Sequence, residues 1–278
     1  MPTEPSFVEA NGLRFAYLEE GTGPLVLLVH GFPDTPHTWD AVRPAVAALG
    51  YRAVAPFTRG YYPTAIPADG AYDADTLGRD LLALIEALGA RSAIVVGHDW
   101  GAAASYSAAV LGPEKVSKLV TIGIPHPASI RPSPRMLWNV RHFFTFKLPG
   151  AVARTSANDF AHIDELVRRW SPAWDVPPGE TDAVKEAFRH PGCLDAALGY
   201  YRAIRPTLPA SHRKRISVPT VSFAGTDDNV DPDLFDKAAS WYSGDYAVVR
   251  VPGGHFMHRE HPEVFIRELE RVLGRGRQ

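Results

Sequence analysis

A single cysteine, Cys193, is all that the 278-residue chain holds, so it can build neither an internal disulfide nor a cysteine-rich zinc site. Its apolar runs fall well short of the roughly 20 residues that a membrane-spanning helix needs. The opening Met1-Pro2-Thr3-Glu4-Pro5 lacks the basic-then-apolar order of a secretory leader. Charge of one sign is not in excess either. The 29 Lys and Arg stand against 31 Asp and Glu, a net −2, which excludes the basic footprint of a nucleic-acid binder. With 45% hydrophobic and 22% charged residues, the composition is that of a folded globular protein rather than a disordered one. These absences set the expectation of a cytoplasmic protein acting on a small molecule, with neither nucleic acid nor membrane as partner. They leave the oligomeric state, a homodimer included, open.

What is present is a regular alternation. Ser6 to Ala10 and Leu13 to Leu18 flank Asn11-Gly12, a two-residue hairpin signal, so the chain is expected to open on an antiparallel ribbon. Pro24 to Val29 is a continuous apolar run, the pattern of a strand buried on both faces. A helical pattern from His37 to Leu49 leads into a strand over Tyr51 to Ala55. Leu77, Leu81, Leu84, Ile85 and Leu88 then mark an amphipathic helix closed by Gly89. Ser92 to Gly97, Lys118 to Ile124, Pro219 to Ala224 and Tyr246 to Val251 read as further strands. Helices are expected over Trp100–Leu111, Leu234–Tyr242 and Pro262–Leu273. Strands alternating with helices predict βαβ units and a mainly parallel sheet. Between Pro125 and Ala210 the rhythm breaks into Pro-, Trp-, Phe-, Tyr- and Arg-rich sequence with short helical patterns, read as a helical insertion over the end of the sheet. Its stretch from His126 to Asn158 holds five basic residues (Arg131, Arg135, Arg141, Lys147, Arg154) and no acidic one. The plain reading is a solvated face; the sharper one is attraction of an anionic substrate or surface. The final residues, 274–278, read as frayed.

Three residues stand out at strand ends. Gly97-His98-Asp99-Trp100-Gly101 joins a β-branched strand to an alanine-rich helix, the setting of a G-x-S-x-G nucleophile elbow with Asp where serine would stand. A carboxylate there faces the positive end of the helix dipole. It is a poor nucleophile toward carbonyls but can displace a leaving group at saturated carbon, forming an alkyl ester. Taken alone, Asp99 reads equally well as a helix N-cap. Two partners favour the nucleophile: Asp228, just past the strand ending at Ala224, and His255, in Gly253-Gly254-His255-Phe256. The order nucleophile, acid, histidine is that of an α/β-hydrolase triad, with all three at the C-terminal ends of strands. His255 would activate water and Asp228 would orient it, with Asp227 and Asp231 as competitors for the second role. In His30-Gly31-Phe32-Pro33 the backbone N–H of Phe32, together with that of Trp100, would form an oxyanion hole. His30 is expected to be structural, and His258 and His261 to lie at the surface.

These motifs, with Arg59-Gly60-Tyr61 and Tyr200-Tyr201-Arg202, resemble those of the α/β-hydrolase fold family, and within it the epoxide hydrolases, with haloalkane dehalogenases as close relatives. The resemblance covers nearly the whole chain. It implies a mainly parallel eight-stranded sheet flanked by helices: a core of 1–124 and 211–278 and a helical cap of 125–210. It also implies a small hydrophobic epoxide, or a halogenated compound, plus water as substrates, and no metal or cofactor. Epoxide hydrolases present two cap tyrosines to the epoxide oxygen. Tyr201 matches one, but Thr145 stands at the expected place of the other, before Phe146-Lys147-Leu148-Pro149-Gly150. Either Tyr201 acts alone, or His142 or Tyr200 substitutes, or the reaction is a different one. Trp138 and Phe256 complete the expected pocket. For a dehalogenase, Trp100 with Trp138, Trp170 or Trp174 would supply halide-binding N–H groups. A non-catalytic ligand-binding protein on the same fold is the alternative from another class.

Overall fold

The computed structural model describes residues 4–131 and 134–274, with the Arg135 side chain also outside the description. The expectation for residues 275–278 therefore lies outside the described residues. Eight strands form one sheet: β1 (Ser6–Ala10), β2 (Leu13–Glu20), β3 (Leu25–Val29), β4 (Arg52–Pro56), β5 (Ala93–His98), β6 (Val116–Ile122), β7 (Thr220–Gly225) and β8 (Tyr246–Val251). Their spatial order is β1-β2-β4-β3-β5-β6-β7-β8. β2 runs antiparallel to both β1 and β4, and the remaining pairs are parallel. The β1–β2 turn carries Asn11 at φ 46° and Gly12 at φ 74°, the double positive φ that a tight hairpin demands.

The apolar run of β3 is explained by the two layers it separates. Leu25, Leu27 and Val29 join one buried cluster, with Leu77, Leu81, Ala104 and Ala108. Val26 and Leu28 join the other, with Val42, Val46, Phe265 and Leu269. One layer holds α2 (Ala74–Ala87) and α3 (Trp100–Leu111), and the other holds α1 (Val42–Ala48) and, near the C-terminus, a last helix, Pro262–Gly274. Asp73 caps α2 by accepting the Thr76 N–H. The helix predicted over His37–Leu49 is instead a 3-10 turn, Pro36–Trp39, followed by α1, and Pro36 marks its start. Similarly, the helix predicted over Leu234–Tyr242 is a short α-helix (Asp233–Lys237) that tightens into a 3-10 turn over Ala238–Trp241.

Between β6 and β7 the described residues add no strand to the sheet beyond an isolated bridge from Ile216 to Tyr242; the helices there are α4 (Pro134–Asn139), α5 (His142–Thr145), α6 (Ala151–Trp170), α7 (Asp182–Arg189) and α8 (Cys193–Ala203). α6 is broken at Ala157–Phe160, where Asn158, Asp159 and Phe160 take positive φ. After β7 come α9 (Asp233–Lys237), α10 (Met257–Glu260) and α11 (Pro262–Gly274).

Arg59, on the loop after β4, is 3% exposed and pairs with Asp80 of α2 through two 2.7 Å hydrogen bonds. Asp80 also accepts from Asn11 Nδ2 at 2.6 Å, so one carboxylate fastens the hairpin and the loop to α2. Removing one partner of a buried pair strands the other charge. Asp80→Ala is therefore expected to lower the unfolding free energy by about 3–5 kcal/mol, read as a falling urea midpoint.

Candidate active site

The turn from β5 to α3 places Asp99. Its backbone sits at φ 52°, ψ −117°, a strained conformation for a residue with a side chain. The strain holds because the neighbours leave no alternative. A Cβ on Gly101 would collide with the Val29 carbonyl of β3, and one on Gly31 would lie 2.5 Å from Asp99 Oδ1. Both glycines thus let the backbone close around the carboxylate.

Asp99 Oδ1 accepts the Phe32 N–H at 2.9 Å, and Oδ2 lies 3.4 Å from His255 Nε2. Trp100 opens α3, so its N–H has no partner within its own helix. The other imidazole nitrogen, Nδ1, is 3.3 Å from Asp228 Oδ2. Asp228 is held in turn by the Val230 N–H at 3.0 Å. The competitors are engaged elsewhere: Asp227 accepts from Thr226 Oγ1 and the Gly253 N–H, and Asp231 from the Asp233 N–H. The His255 N–H donates to the Trp170 carbonyl at the end of α6, so the insertion fixes the histidine loop from above.

The electrostatics follow from this arrangement. Burial alone would favour neutral His255, but the charges and hydrogen bonds of Asp228 and Asp99 outweigh it and lift its pKa to about 10. Burial likewise opposes ionisation of Asp99, yet His255, His98 and the Phe32 N–H hold its pKa below the usual carboxylate value. Both shifts favour the ion pair of the Asp99 carboxylate with a protonated His255.

Tyr201, on α8, is 1% exposed and packs edge-on against Phe32, Trp100 and His142, at centroid distances of 5.2, 5.4 and 5.5 Å. Burial, followed by the nearby Asp99 charge, pushes its phenol pKa well up, so it keeps its proton. His142, on α5, is buried among Tyr201, Phe146 and Trp170. Burial and then the Arg169 charge lower its pKa to about 3, so it is a neutral imidazole. Arg169 Nη2 lies 3.5 Å from its Nδ1.

Other expected pocket residues fall elsewhere. Thr145 is exposed at the end of α5, its hydroxyl donating to the His142 carbonyl. Trp138 is 67% exposed beneath the Arg141 guanidinium, because the chain turns at Val140–Arg141 between α4 and α5. Tyr200 aims its hydroxyl away, at the Arg59 carbonyl 2.7 Å off. Phe256 is fully buried between Trp170, His98 and His255, a wall behind the imidazole rather than a pocket surface.

His30 is structural as expected: Nδ1 donates to the Gly31 carbonyl and Nε2 accepts the Thr58 N–H. His261 is exposed, but His258 is not. It belongs to α10, ahead of α11, and is buried against Trp39, with Nε2 2.6 Å from Thr38 Oγ1. That contact spans 220 residues, so nothing near His258 in the sequence signals it. His98 Nε2 donates to the His255 carbonyl. Asp34, His98 and His258 bring three ligand atoms within 4.8 Å of one another. Arg259, however, donates to Asp34 Oδ2 at 2.9 Å and sets a guanidinium charge where a cation would fall. The cluster reads as a brace under the histidine loop. Arg259 also donates to Glu180 of the insertion at 2.7 Å, tying it to the loop after β3.

Residues 24–262 match the family model for the alpha/beta hydrolase fold. The chain is 34% identical to the AB hydrolase superfamily protein YfhM of Bacillus subtilis, over 93% of each chain. It is 41% identical to an epoxide hydrolase of Caballeronia sordidicola, over 80% of this chain and 78% of that one. In structure it superposes on an inhibitor complex of Bacillus megaterium epoxide hydrolase with a TM-score of 0.86 at 24% identity, covering 97% of this chain and 100% of that one. The chain belongs to the α/β-hydrolase fold family and is an epoxide hydrolase-like hydrolase.

Proposed function

We propose that this hydrolase opens an epoxide to a vicinal diol through a covalent ester on Asp99. The observation that carries the reading is the Asp99–His255–Asp228 row, together with Tyr201 packed edge-on against Phe32 and Trp100 and against His142. In the first step Asp99 Oδ2 attacks a ring carbon, the C–O bond of the epoxide breaks, and the ring oxygen takes the Tyr201 proton. A neutral His142 N–H is the second donor, standing in for the missing tyrosine. Oδ1 stays on the Phe32 N–H and becomes the ester carbonyl oxygen.

Esterification then changes the histidine. Asp99 loses its negative charge, so one of the two carboxylates holding the imidazolium disappears and the His255 pKa falls. The imidazolium gives up its proton, which is relayed to the Tyr201 phenolate left by ring opening, and the neutral imidazole becomes a base at the stage that needs one. Water gives it a proton and attacks Cγ, and Oδ1 carries the developing charge toward the Phe32 and Trp100 N–H groups. The bond from Cγ to the alkyl oxygen breaks, the diol leaves with a proton from His255, and the carboxylic acid formed on Asp99 returns a proton to His255, restoring the carboxylate and the imidazolium. A water oxygen remains in the carboxylate. Residues 125–210 are proposed to act as the cap that carries the ring-opening donors and keeps bulk water out.

The 41% identity to the Caballeronia sordidicola epoxide hydrolase supports the epoxide reading. One observation favours haloalkane dehalogenation as a second reading: the indole N–H of Trp170 is buried and has no hydrogen-bond partner among the described residues, its ring lying between His142 and His255. Parallel assays of aryl and alkyl epoxides and of haloalkanes separate the two; halide without diol would reverse the ranking. Within the epoxide reading, Tyr201→Phe is expected to slow ester formation by about 10²–10³-fold. His142→Phe should cost less, since it leaves the phenol in place. Neither change should slow hydrolysis of an ester already formed, which rapid-quench mass spectrometry resolves.

A further inference from the structure

The insertion carries its site residues on one side and an unexpected surface on the other. α4, α5 and the turn after them bury His142 and Phe146 inward, toward Tyr201. Outward stand Leu137, Trp138, Phe144 and Leu148, at 47%, 67%, 59% and 55% exposure. These are half of the eight large apolar side chains that lie exposed among the described residues, gathered within twelve positions. A solvated face would be polar there.

The charge along this stretch of the chain is of one sign. The stretch His126–Asn158 carries +5 in a chain of net −2, so the remainder carries −7. Arg141, Lys147 and Arg154 direct hydrogen bonds at main-chain carbonyls of Trp138, Ile204, Pro149 and Thr145. None of the three has an ion-pair partner among the described residues. The Arg141 guanidinium lies 4.5 Å over the Trp138 ring, so the most exposed aromatic is itself rimmed by positive charge.

We infer that this face of the insertion docks on an anionic lipid surface, with Leu137, Trp138, Phe144 and Leu148 entering the headgroup boundary and the basic residues meeting lipid phosphates. Exposed apolar and aromatic side chains ringed by Arg and Lys have the chemistry of an interfacial segment that lies on a bilayer without crossing it. No helix among the described residues is long and apolar enough to cross one. The obvious rival occupant is a second copy of the chain. A two-fold contact through this face would set Arg141, Lys147 and Arg154 against their own copies, a repulsion that an anionic membrane turns into attraction. The docking stands independently of the reaction proposed above, since it uses none of the reacting residues.

Vesicle flotation tests it directly. Vesicles of phosphatidylcholine containing about 30% phosphatidylglycerol should retain the protein at least tenfold better than pure phosphatidylcholine, and about 0.5 M salt should release it. The double variant Trp138→Glu/Phe144→Glu should lose retention at least tenfold with an unchanged urea midpoint. So should Arg141→Glu/Lys147→Glu, which removes charge but no apolar surface. Equal retention on neutral and anionic vesicles, no retention on either, or full retention of both variants would each overturn the proposal. A wild-type dimer that the first variant converts to monomer, seen by light scattering without vesicle binding, would assign the patch to self-association and overturn it too.

Discussion

His255→Gln, exposed to an epoxide that the wild-type protein turns over, is expected to gain the mass of that epoxide and to keep it. The ring-opening step needs Asp99 ionised and a proton from Tyr201, and neither depends on an imidazole acting as base. Asp99 Oδ1 keeps its hydrogen bond from the Phe32 N–H in the variant, which helps hold the carboxylate ionised. Removing the imidazolium does leave Asp99 and Asp228 without the cation between them, so alkylation should slow somewhat. Hydrolysis loses its base altogether, and steady-state turnover should drop about 10³-fold or more. Intact-mass spectrometry reads the adduct, and peptide mapping should place it on Asp99. An inactive variant that never gains mass would sink the covalent scheme.

Asp99→Asn should abolish the adduct and, in the same protein, report how the histidine is controlled. Asparagine has nearly the shape of the carboxylate and none of its charge, so electrostatically it imitates the esterified intermediate. With the hydrogen bond and charge of Asp99 gone, the His255 pKa should fall from about 10 toward neutrality, because Asp228 alone must then oppose the burial that favours the neutral ring. The imidazole Cε1 proton, followed by NMR against pH, measures this. Stability must follow the same sign. A histidine pKa raised in the folded state stabilises the fold fully below its unfolded value near 6.5. That stabilisation is lost as pH rises toward about 10. The wild-type chain should therefore lose stability across this window, and Asp99→Asn should show a flatter profile. An unshifted titration would mean that the carboxylate does not govern the base.

Much of the frame was legible because its signals are local or periodic. The run Leu25–Val29 announces a strand between two layers, and Asn11-Gly12 announces the hairpin. Gly97, Asp99 and Gly101 mark a bend that only small flanking residues allow. Chain order brings the loops after the neighbouring parallel strands β7 and β8 together. Asp227, Asp228 and Asp231 share the first of them, however, and only the structure shows that Asp228 meets His255. The insertion was less readable. Trp138 and His142 are four residues apart, a spacing that would put them on one face of a continuous helix. The turn at Val140–Arg141 instead sends one to solvent and buries the other. Thr145, expected in the pocket because it stands at the tyrosine position of the motif, is exposed instead, because α5 ends there. Arg259, Asp34 and Glu180 meet only through the tertiary fold, and no spacing in the chain connects them.

The lone Cys193 opens α8, the helix that carries Tyr201, and its Sγ accepts the Tyr62 N–H at 3.3 Å. It is 1% exposed, and burial pushes its pKa up to about 11. A thiol so enclosed and so seldom ionised is inert to alkylating reagents while α8 stays seated on the core. Its rate of labelling in the native protein is thus a built-in clock for how often that helix lifts, with no other sulfhydryl in the chain to blur the reading.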